Sequence, residues 1–495
     1  MRKTRVSVVV VLLSLLTLSV CLSGSTRTVT IFFTSDEHGY LEPQVAGSKS
    51  TGGAANLMTV MRSRGYDPDS DRSILVSGGD MWAGQAVSSW FKGIPAVEVA
   101  NAMGYDAAAL GNHEFDWGEE QLQTNEKAAD FPFVSANVVE ASSGKAPPYA
   151  RPYVVKEVGG VRTAIIGLTK RDTPFIVLPS NVKGLQFIDY EKALRQTVPL
   201  ARSQGVELVI VASHVCPDEL RELAPVAAEL SIPLLAGAHC HSMENYEQDG
   251  VRIISAGAHM QAFARVSITL NDGSEKAAQT KAELFPVEYF LDGDPIVPDP
   301  GIERIVSGWS EKTDKELGRV IGYSETGVGK GWALYNLLVD SWLWAYPDAD
   351  IAINNFGGYR DGIPAGDIRA SDIFAIWPFS NDLVEVDLTG RQIMDNLDCC
   401  GGAVAGMTYT KSDRLPAVRL KSGDPLDPEA TYRVIVNSYM YEGGDGYLFS
   451  KQNPRGREIG VNFRDPAIQW ILSRETSRER PLEKFLDRGP RGPRR

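Results

Sequence analysis

Short apolar runs alternate with amphipathic stretches through the first three hundred residues of the chain. The apolar runs are three to five residues long, which is typical of buried strands. The stretches between them, best seen at 54–64 and 190–203, have the spacing of helices that bury one face. This alternation predicts an α/β layered domain. The predicted strands are Val29–Phe33, Ile74–Val76, Thr163–Ile166, Leu208–Ala212 and Pro233–Ala236.

The composition changes near residue 292 and divides the chain. Residues 292–300 are rich in proline, aspartate and glycine, as in a turn-rich connector. A helical pattern follows at 302–317, and a second mixed α/β pattern runs from 319 to 474. The last residues are rich in arginine, proline and glycine, which favours disorder. We predict a catalytic domain over 26–296, a linker helix over 297–318, a C-terminal domain over 319–475 and a disordered tail over 476–495.

The first 25 residues have the pattern of a signal peptide. Arg2, Lys3 and Arg5 precede an apolar run at 6–20, and small residues follow it. The run is too short for a comfortable membrane span. The mature protein is therefore expected to be exported and soluble, in the periplasm or at the cell surface. The segment ending at Cys21 loosely resembles a lipoprotein cleavage box, so a lipid anchor at that cysteine is the alternative.

The net charge limits the range of partners. A formal charge of −13 argues against a nucleic-acid-binding surface, because phosphate backbones require clustered lysine and arginine. A small phosphate ester needs only a local cationic site and is not excluded.

Histidine placement is the strongest chemical signal. The chain contains six histidines, and five of them lie in short motifs that follow apolar runs. Histidine is the commonest transition-metal ligand, and its combination with aspartate and asparagine suits zinc, manganese, cobalt or iron. The carboxyl ends of strands in an open α/β sheet share one edge, so these residues are expected to converge. The candidates are Asp36, His38, Asp80, Asn112, His113, His214, His239 and His241.

The residue types indicate two metal ions rather than one. Two divalent ions roughly 3.5–4 Å apart can clamp a phosphate and activate water. Asp80 is the natural bridge, because a shared carboxylate offsets the repulsion between the ions. His113 need not be a ligand. With Asp116 it could form a pair in which the carboxylate orients the ring and the imidazolium assists the leaving oxygen. His259 has no partner motif and is interpreted as an ordinary core or cleft histidine.

The cysteines leave one question open. Cys216 and Cys240 each lie within two residues of a predicted ligand histidine. They could form a disulfide in an oxidising compartment, or they could be two buried thiols. Cys399 and Cys400 are adjacent, and neighbouring cysteines are not expected to bridge each other.

The motifs in this order resemble those of the calcineurin-like metallophosphoesterases. More narrowly they resemble the secreted 5'-nucleotidase branch, which includes UDP-sugar hydrolases and cyclic-phosphodiesterase nucleotidases. The resemblance covers essentially the whole mature chain. It implies a four-layer β-sandwich flanked by helices and a smaller mixed α/β C-terminal domain. The matching segments are D-x-H-G at 36–39, G-G-D at 78–80, G-N-H-E-F-D at 111–116, S-H at 213–214, H-x-H at 239–241, N-x-G-G-x-R at 355–360, P-F-x-N at 378–381 and G-G-D-G-Y at 443–447.

The same resemblance implies a role for each candidate residue. It assigns His113, Asp116 and Asn112 to catalysis beside two divalent ions. Phe379 and Tyr439 match two aromatic residues that sandwich the nucleobase, although alone they would be interpreted as core aromatics. The implied ligands are Asp36, His38, Asp80 and His241 for one metal, and Asp80, Asn112, His214 and His239 for the other. The implied substrate contacts are Asn355 and Arg360 to phosphate or sugar, and Asp445 near the ribose.

One segment departs from the family pattern. The family has an arginine, then a Gly-Asn pair, at the helix that opens the C-terminal domain. Here Lys330 replaces the arginine and is the candidate substrate-binding residue of this segment, whereas Tyr335 replaces the glycine. Lysine binds phosphate as a point charge and not bidentately, so the phosphate contacts of this segment are left open.

The expected activity is hydrolysis of nucleoside 5'-monophosphates to nucleoside and phosphate, with release of the nucleoside for uptake. The resemblance also implies a rotation between the domains. UDP-sugar hydrolysis, 2',3'-cyclic-nucleotide hydrolysis and sulfur-ester hydrolysis on the same scaffold are alternatives. A non-catalytic surface protein that binds nucleotides is an alternative of another class. The sequence does not select the metal.

Overall fold

The computed structural model describes residues 26–46, 49–271, 277–288, 290–291, 293–412 and 415–493. The predicted signal peptide and Cys21 lie outside the described residues. Within the described part of the chain, no helix is long and apolar enough to cross a membrane.

Two six-stranded sheets form the centre of the N-terminal domain, which is the predicted catalytic domain. In the first sheet, Thr26–Thr34 pairs in parallel with Ser73–Ser77 and antiparallel with Ala262–Asn271. In the second sheet, Leu208–His214 lies between two parallel neighbours, Val161–Thr169 and Leu234–Gly237. The remaining strands are Ala107–Ala109, Phe133–Val134 and Ala277–Pro286 in the first sheet, and Tyr153–Val158, Val251–Ala256 and Met243–Gln248 in the second.

Alternation along these strands produces four layers. On Thr26–Thr34, Ile31 and Phe33 pack between the two sheets, whereas Phe32 packs outward against helices. On Leu208–His214, Ile210 faces the inner core and Val209 faces the outer helices. Both faces of each sheet are therefore covered, which explains why the strands are apolar runs and not alternating ones. The helices of this domain are Ala54–Ser63, Ala86–Ser89, Ile94–Met103, Gly118–Ala128, Thr173–Ile176, Tyr190–Arg202 and Pro217–Glu229.

The linker helix spans Pro300–Leu317 and joins the two halves of the molecule. The Asp299 side chain caps it by accepting hydrogen bonds from the backbone N–H groups of Gly301 and Ile302. Ile302 packs into the core of the catalytic domain, and Leu317 packs into the C-terminal core. The helix begins at Pro300, which is two residues before the helical pattern at 302–317 and three residues after the predicted start of the linker helix at 297.

The C-terminal domain is built on a five-stranded mixed sheet. Its strands, in spatial order, are Ala403–Ala405, Ile351–Asn354, Thr431–Asn437, Asp382–Thr389 and Arg457–Asn462. Apolar cores lie on both faces of the sheet, one around Trp342 and the other around Met440. The helices are Trp332–Ala345, Ala370–Ile376, Gly390–Cys399, Ser438–Glu442, Phe449–Gln452 and Asp465–Ser473. Short two-stranded pairs complete the fold, namely Gln44–Ala46 with Lys49–Thr51, Val138–Glu140 with Leu185–Phe187, Phe290–Leu291 with Asp294–Pro295, Val320–Ser324 with Gly366–Arg369 and Met407–Thr410 with Ala417–Leu420.

The prediction of a disordered tail is wrong for residues 476–493. Leu482 is fully buried in the core of the C-terminal domain. The Arg491 guanidinium makes a two-point ion pair with Asp340. The Asn336 side chain donates hydrogen bonds to backbone carbonyls of the tail at 487 and 489. Composition suggested disorder because the few apolar anchors are diluted by arginine and proline, and because the acidic partner lies 151 residues away.

The adjacent cysteines also depart from expectation, because Cys399 and Cys400 form a disulfide. The helix Gly390–Cys399 ends at this point, and the Cys400 backbone has left the helical conformation.

Replacing Leu482 tests the packed tail. Leu482→Ala would leave a cavity in the core, and we expect the free energy of unfolding to fall by about 2–5 kcal/mol. Arg488→Ala, at an exposed position of the same tail, is the matched control. Chemical denaturation followed by tryptophan fluorescence measures both. Equal stability of the two variants would contradict the packed arrangement.

Candidate active site

The candidate metal ligands lie on loops that follow strands of both sheets. Asp36 and His38 follow Thr26–Thr34, Asp80 follows Ser73–Ser77, and Asn112 follows Ala107–Ala109. These three strands belong to the first sheet. His214 ends a strand of the second sheet, and His239 and His241 follow its neighbour Leu234–Gly237. The sequence interpretation expected one shared edge, whereas the structure uses the facing edges of two sheets.

The side chains converge in two groups that could each hold a metal ion. One group contains Asp36, His38 and His241, with 3.1 Å between the Nε2 atoms of the two histidines. The other contains Asp80, His214 and His239. The carbonyl oxygen of Asn112 joins this second group, at 3.1 Å from His214 Nε2 and 3.0 Å from His239 Nδ1.

Asp80 faces both groups. Its Oδ2 lies 3.1 Å from His214 Nε2 and 3.8 Å from His38 Nε2. Its Oδ1 accepts a hydrogen bond from the backbone N–H of His113 at 2.8 Å. The carboxylate is therefore placed where a bridging ligand would have to be.

The histidine tautomers suit metal ions. His38 Nδ1 lies 2.8 Å from the Ala83 carbonyl oxygen, and His214 Nδ1 lies 3.0 Å from the Gly78 carbonyl oxygen. A carbonyl can only accept, so each Nδ1 donates its proton and each Nε2 faces the cluster, where it can bind a cation in place of a proton. Imidazole nitrogens aimed at one point, together with buried carboxylates, fit divalent cations.

Burial controls the charges in this cluster. It lowers the pKa of His239 to about 3 and of His241 to about 4, so both rings are neutral at neutral pH. Burial raises the pKa of Asp36 to about 8, and the negative charge of neighbouring Asp80 contributes to this upward shift. For Asp80 itself burial acts in the same direction, but His214 and other nearby histidines hold its pKa well below the usual range. Reciprocally, Asp80 raises the pKa of His214 to about 9 against the effect of burial. Buried carboxylates that repel each other are stabilised by cations.

The ligand loops hold unusual backbone conformations. Asp36, His38, Asp80, His239 and His241 all have φ between 48° and 70°, which is uncommon for residues other than glycine. Such conformations persist where the surroundings enforce them, and they cluster at functional sites.

Glu114 enforces the conformation of the Asp80 loop. Its buried carboxylate accepts hydrogen bonds from the backbone N–H groups of Gly111, Asp80 and Met81. A Cβ atom at Gly111 would collide with the Asp80 carboxylate, so this position requires glycine. The G-N-H-E segment is therefore also a brace for Asp80.

His113 lies between a carboxylate and a guanidinium group. Its Nδ1 is 2.8 Å from Asp116 Oδ2, and its Nε2 is 2.8 Å from the Arg360 guanidinium. The structure thus brings the predicted His113–Asp116 pair together and adds a residue from the other domain. The Asp116 carboxylate orients the ring, and Nε2 points into the cleft.

One cavity of about 480 Å³ connects the two groups of candidate metal ligands, hereafter the metal-type clusters, to the C-terminal domain. The predicted substrate residues Asn355, Arg360, Phe379, Tyr439 and Asp445 all line it, together with His38, Asp80, Asn112, His113, Asp116, His239 and His241. Lys330 lies outside the lining formed by the described residues. The pKa of Lys330 is lowered mainly by burial, and the nearby charge of Arg360 lowers it further.

Contacts within the C-terminal domain hold the Phe379 segment. The Arg360 guanidinium lies 5.2 Å from the centre of the Phe379 ring. The buried Arg464 donates 2.7 Å hydrogen bonds to the carbonyl oxygens of Trp377 and Phe379, and it stacks on Phe374. This fixes the backbone on both sides of Pro378.

Several residues at the site were not predicted from the sequence. His259 stacks on Tyr40, and its ring centre lies 5.3 Å from that of His241. It therefore borders the metal-type cluster. The catalytic-domain segment 176–178 and Arg464 had no motif to mark them, because only the fold brings them to the cavity.

Cys216 and Cys240 form a disulfide, which answers the question left open by the sequence. Cys216 lies two residues after His214, and Cys240 lies between His239 and His241. The bond thus ties together the two loops that carry the histidines of the second sheet.

Comparison with known proteins adds to this geometry. The family model of the 5'-nucleotidase C-terminal domain matches residues 313–452. The 5'-nucleotidase of Vibrio cholerae is 26% identical over 491 residues, which covers 86% of each chain. Endonuclease YhcR of Bacillus subtilis is 26% identical over 404 residues, covering 74% of this chain. The chain spans 33% of the length of that relative, and likewise 33% of the trifunctional nucleotide phosphoesterase protein YfkN of the same organism.

Solved structures show the same architecture over nearly the whole chain. A 5'-nucleotidase precursor from Thermus thermophilus has a TM-score of 0.79 at 24% identity, covering 94% of this chain and 99% of its own. The sulfate thiohydrolase SoxB has a TM-score of 0.72 at 19% identity, covering 94% and 96%. The predicted fold class is confirmed. The predicted resemblance to the 5'-nucleotidase family is confirmed as well.

Removing the Cys216–Cys240 disulfide tests its role in holding the ligand loops. We expect the Cys216→Ser/Cys240→Ser variant to bind Mn²⁺ or Zn²⁺ about 10- to 100-fold more weakly, the range found when groups that orient metal ligands are lost. Isothermal titration calorimetry on the metal-stripped protein measures this. The Cys399→Ser/Cys400→Ser variant removes a disulfide away from the ligands and is the control. Equal affinity in both variants would show that the loops hold their shape without the bond.

Proposed function

We propose that this protein is a two-metal phosphohydrolase that releases phosphate from nucleoside 5'-monophosphates. The observation that carries the proposal is the single cavity that runs from two metal-type clusters to a pocket with aromatic, arginine and carboxylate groups. The similarity to 5'-nucleotidases supports it.

The residues fit two divalent cations, which when bound would supply Lewis acidity at the phosphate. Asp80 offers one oxygen to both positions, and neutral imidazoles complete the shells without excess negative charge. One cation would be held by Asp36, His38, Asp80 and His241, and the other by Asp80, Asn112, His214 and His239.

The remaining polar groups would act on the phosphate. Arg360 presents a guanidinium beside His113 Nε2, where a phosphate oxygen can take the place of the imidazole as its partner. Asp116 keeps the proton of His113 on Nδ1 and orients the ring. Nε2 is then free to take up a proton from water and pass it to the leaving oxygen as the bond from that oxygen to phosphorus breaks. The carbonyl oxygen of the Asn112 side chain lies beside His214 and His239, where it would bind the second cation.

The other end of the cavity would bind the nucleoside. Phe379 and Tyr439 offer aromatic faces on which any base can stack. Asp445 offers carboxylate oxygens to ribose hydroxyls. This aromatic pair favours a substrate that carries a base over a sulfur ester. We also propose the predicted boundaries of the catalytic domain, the linker helix and the C-terminal domain, with the packed tail at 476–493 added to the last of these, and export of the mature chain.

A substrate panel tests the reaction. The purified protein is stripped, reloaded with Mn²⁺ or Zn²⁺, and analysed for metal content. We expect about two ions per chain and phosphate release from AMP faster than from UDP-glucose or 2',3'-cyclic AMP. Preference for either of the latter would reassign the substrate on the same scaffold. A fully loaded protein that binds AMP but releases no phosphate would favour the non-catalytic alternative.

Replacing Asp80 tests the bridging carboxylate. Asp80→Ala removes the oxygen atoms shared by the two clusters, so we expect loss of at least one metal ion and a fall in kcat of about 100-fold or more. Metal analysis and phosphate release measure the two effects. Asp348→Ala, an exposed carboxylate of the C-terminal domain, is the control. If activity survives in the Asp80 variant, the two-metal arrangement is wrong.

A further inference from the structure

The hydroxyl group of Tyr439 touches both domains. Tyr439 lies in the helix Ser438–Glu442 and is 8% exposed. Its hydroxyl group lies 2.6 Å from Asp445 Oδ1 in its own domain and 3.1 Å from the Phe175 carbonyl oxygen in the catalytic domain. Ring stacking on a base uses neither of these contacts.

Asp445 needs such support. Its backbone φ is 53°, in the left-handed region, and it sits in a Gly-Asp-Gly turn. Its two carboxylate oxygens receive different donors, because Oδ1 accepts from Tyr439 and Oδ2 accepts from the Asn355 side chain at 2.8 Å. A carboxylate has about four acceptor positions, so the two donors orient its plane and leave acceptor capacity facing the cavity.

The catalytic domain supplies a wall of the same pocket. Ile176, Val177 and Leu178 line the cavity, and Leu178 packs against the C-terminal core. A few residues further along, the Ser180 N–H donates a 2.9 Å hydrogen bond to Glu442, which lies in the same helix as Tyr439. The segment 175–180 therefore contacts the helix Ser438–Glu442 at both of its ends, through Phe175 before the apolar wall and through Ser180 after it.

We infer that the Tyr439 hydroxyl group is a positioning group for ribose recognition, an inference that rests on the proposed function. It holds the Asp445 carboxylate in the orientation that accepts the 2'- and 3'-hydroxyl groups. Its single proton can be shared with the Phe175 carbonyl oxygen, 3.1 Å from the hydroxyl oxygen, and this contact connects the carboxylate to the domain that carries the candidate metal ligands. A phenylalanine at this position would stack on the base equally well but would do neither.

A structural role alone has to be distinguished from this one. A buried hydroxyl group needs a partner in any case, and loss of one hydrogen bond would lower stability without changing substrate choice. The two roles differ in whether the ribose hydroxyl groups matter to the variant.

Tyr439→Phe is compared with the unmodified enzyme on AMP and on the 5'-monophosphate of 2',3'-dideoxyadenosine. We expect the unmodified enzyme to prefer AMP in kcat/KM by about tenfold or more. In the variant this preference should fall to within about twofold of unity, mainly through a higher KM for AMP. A variant that keeps the full preference for AMP overturns the inference.

Two further variants isolate the contact. Tyr441→Phe removes a hydroxyl group from the same helix whose partners, Asn453 and Gly456, lie within the C-terminal domain, and the preference should be unchanged. Glu442→Ala removes the contact with Ser180 but does not touch Asp445, so it should raise KM for both nucleotides equally. A loss of preference in the Tyr441 variant would show a general disturbance of the helix and would overturn the inference.

Calorimetric binding separates this result from the proposed function. If the unmodified protein hydrolyses neither nucleotide, the proposed function fails, but the affinity ratio for the two nucleotides still tests the role of Tyr439. Equal affinity of the unmodified protein for both would overturn the inference.

Discussion

The position of the Asp80 carboxylate is the constraint on which the rest of the site depends. It must reach histidines that come from two different sheets, and its charge raises the pKa of the buried His214 while it repels the neighbouring Asp36 carboxylate. Its loop is held in a left-handed conformation by two backbone hydrogen bonds that Glu114 accepts from Asp80 and Met81, and a third ties Glu114 to Gly111. A glycine at 111 leaves the space that this arrangement needs. The geometry of the candidate metal site is set by backbone support as much as by the side chains themselves.

The second constraint is that the site belongs to two domains. The clusters and the His113–Asp116 pair come from the catalytic domain, whereas Arg360, Phe379 and Asp445 come from the C-terminal domain. The guanidinium of Arg360 already lies against His113. The linker helix Pro300–Leu317 packs into both cores, so the relative placement of the domains is part of the structure that forms the cavity.

Much of this could be predicted from the sequence, for identifiable reasons. Strands buried on both faces are apolar runs, and four of the five proposed from 29 to 236 lie wholly within strands of the structure. The fifth, Pro233–Ala236, begins one residue before the strand Leu234–Gly237. The metal-type residues are polar groups placed directly after such runs, so their positions stand out. By contrast, the tail at 476–493 was predicted to be disordered, because composition does not show that Arg491 finds Asp340 or that Leu482 reaches a core.

The amino-acid sequence alone therefore determined the layered fold class, the residues of the metal-type clusters and the family resemblance. These depend on local periodicity and on short motifs. The tertiary structure decided which loops face each other. It showed that two sheets supply the candidate metal-binding residues and that His259 borders them. It also showed that Lys330 lies outside the cavity lining of the described residues and that Tyr439 reaches across to Phe175. Such contacts join residues up to hundreds of positions apart, and no local pattern records them.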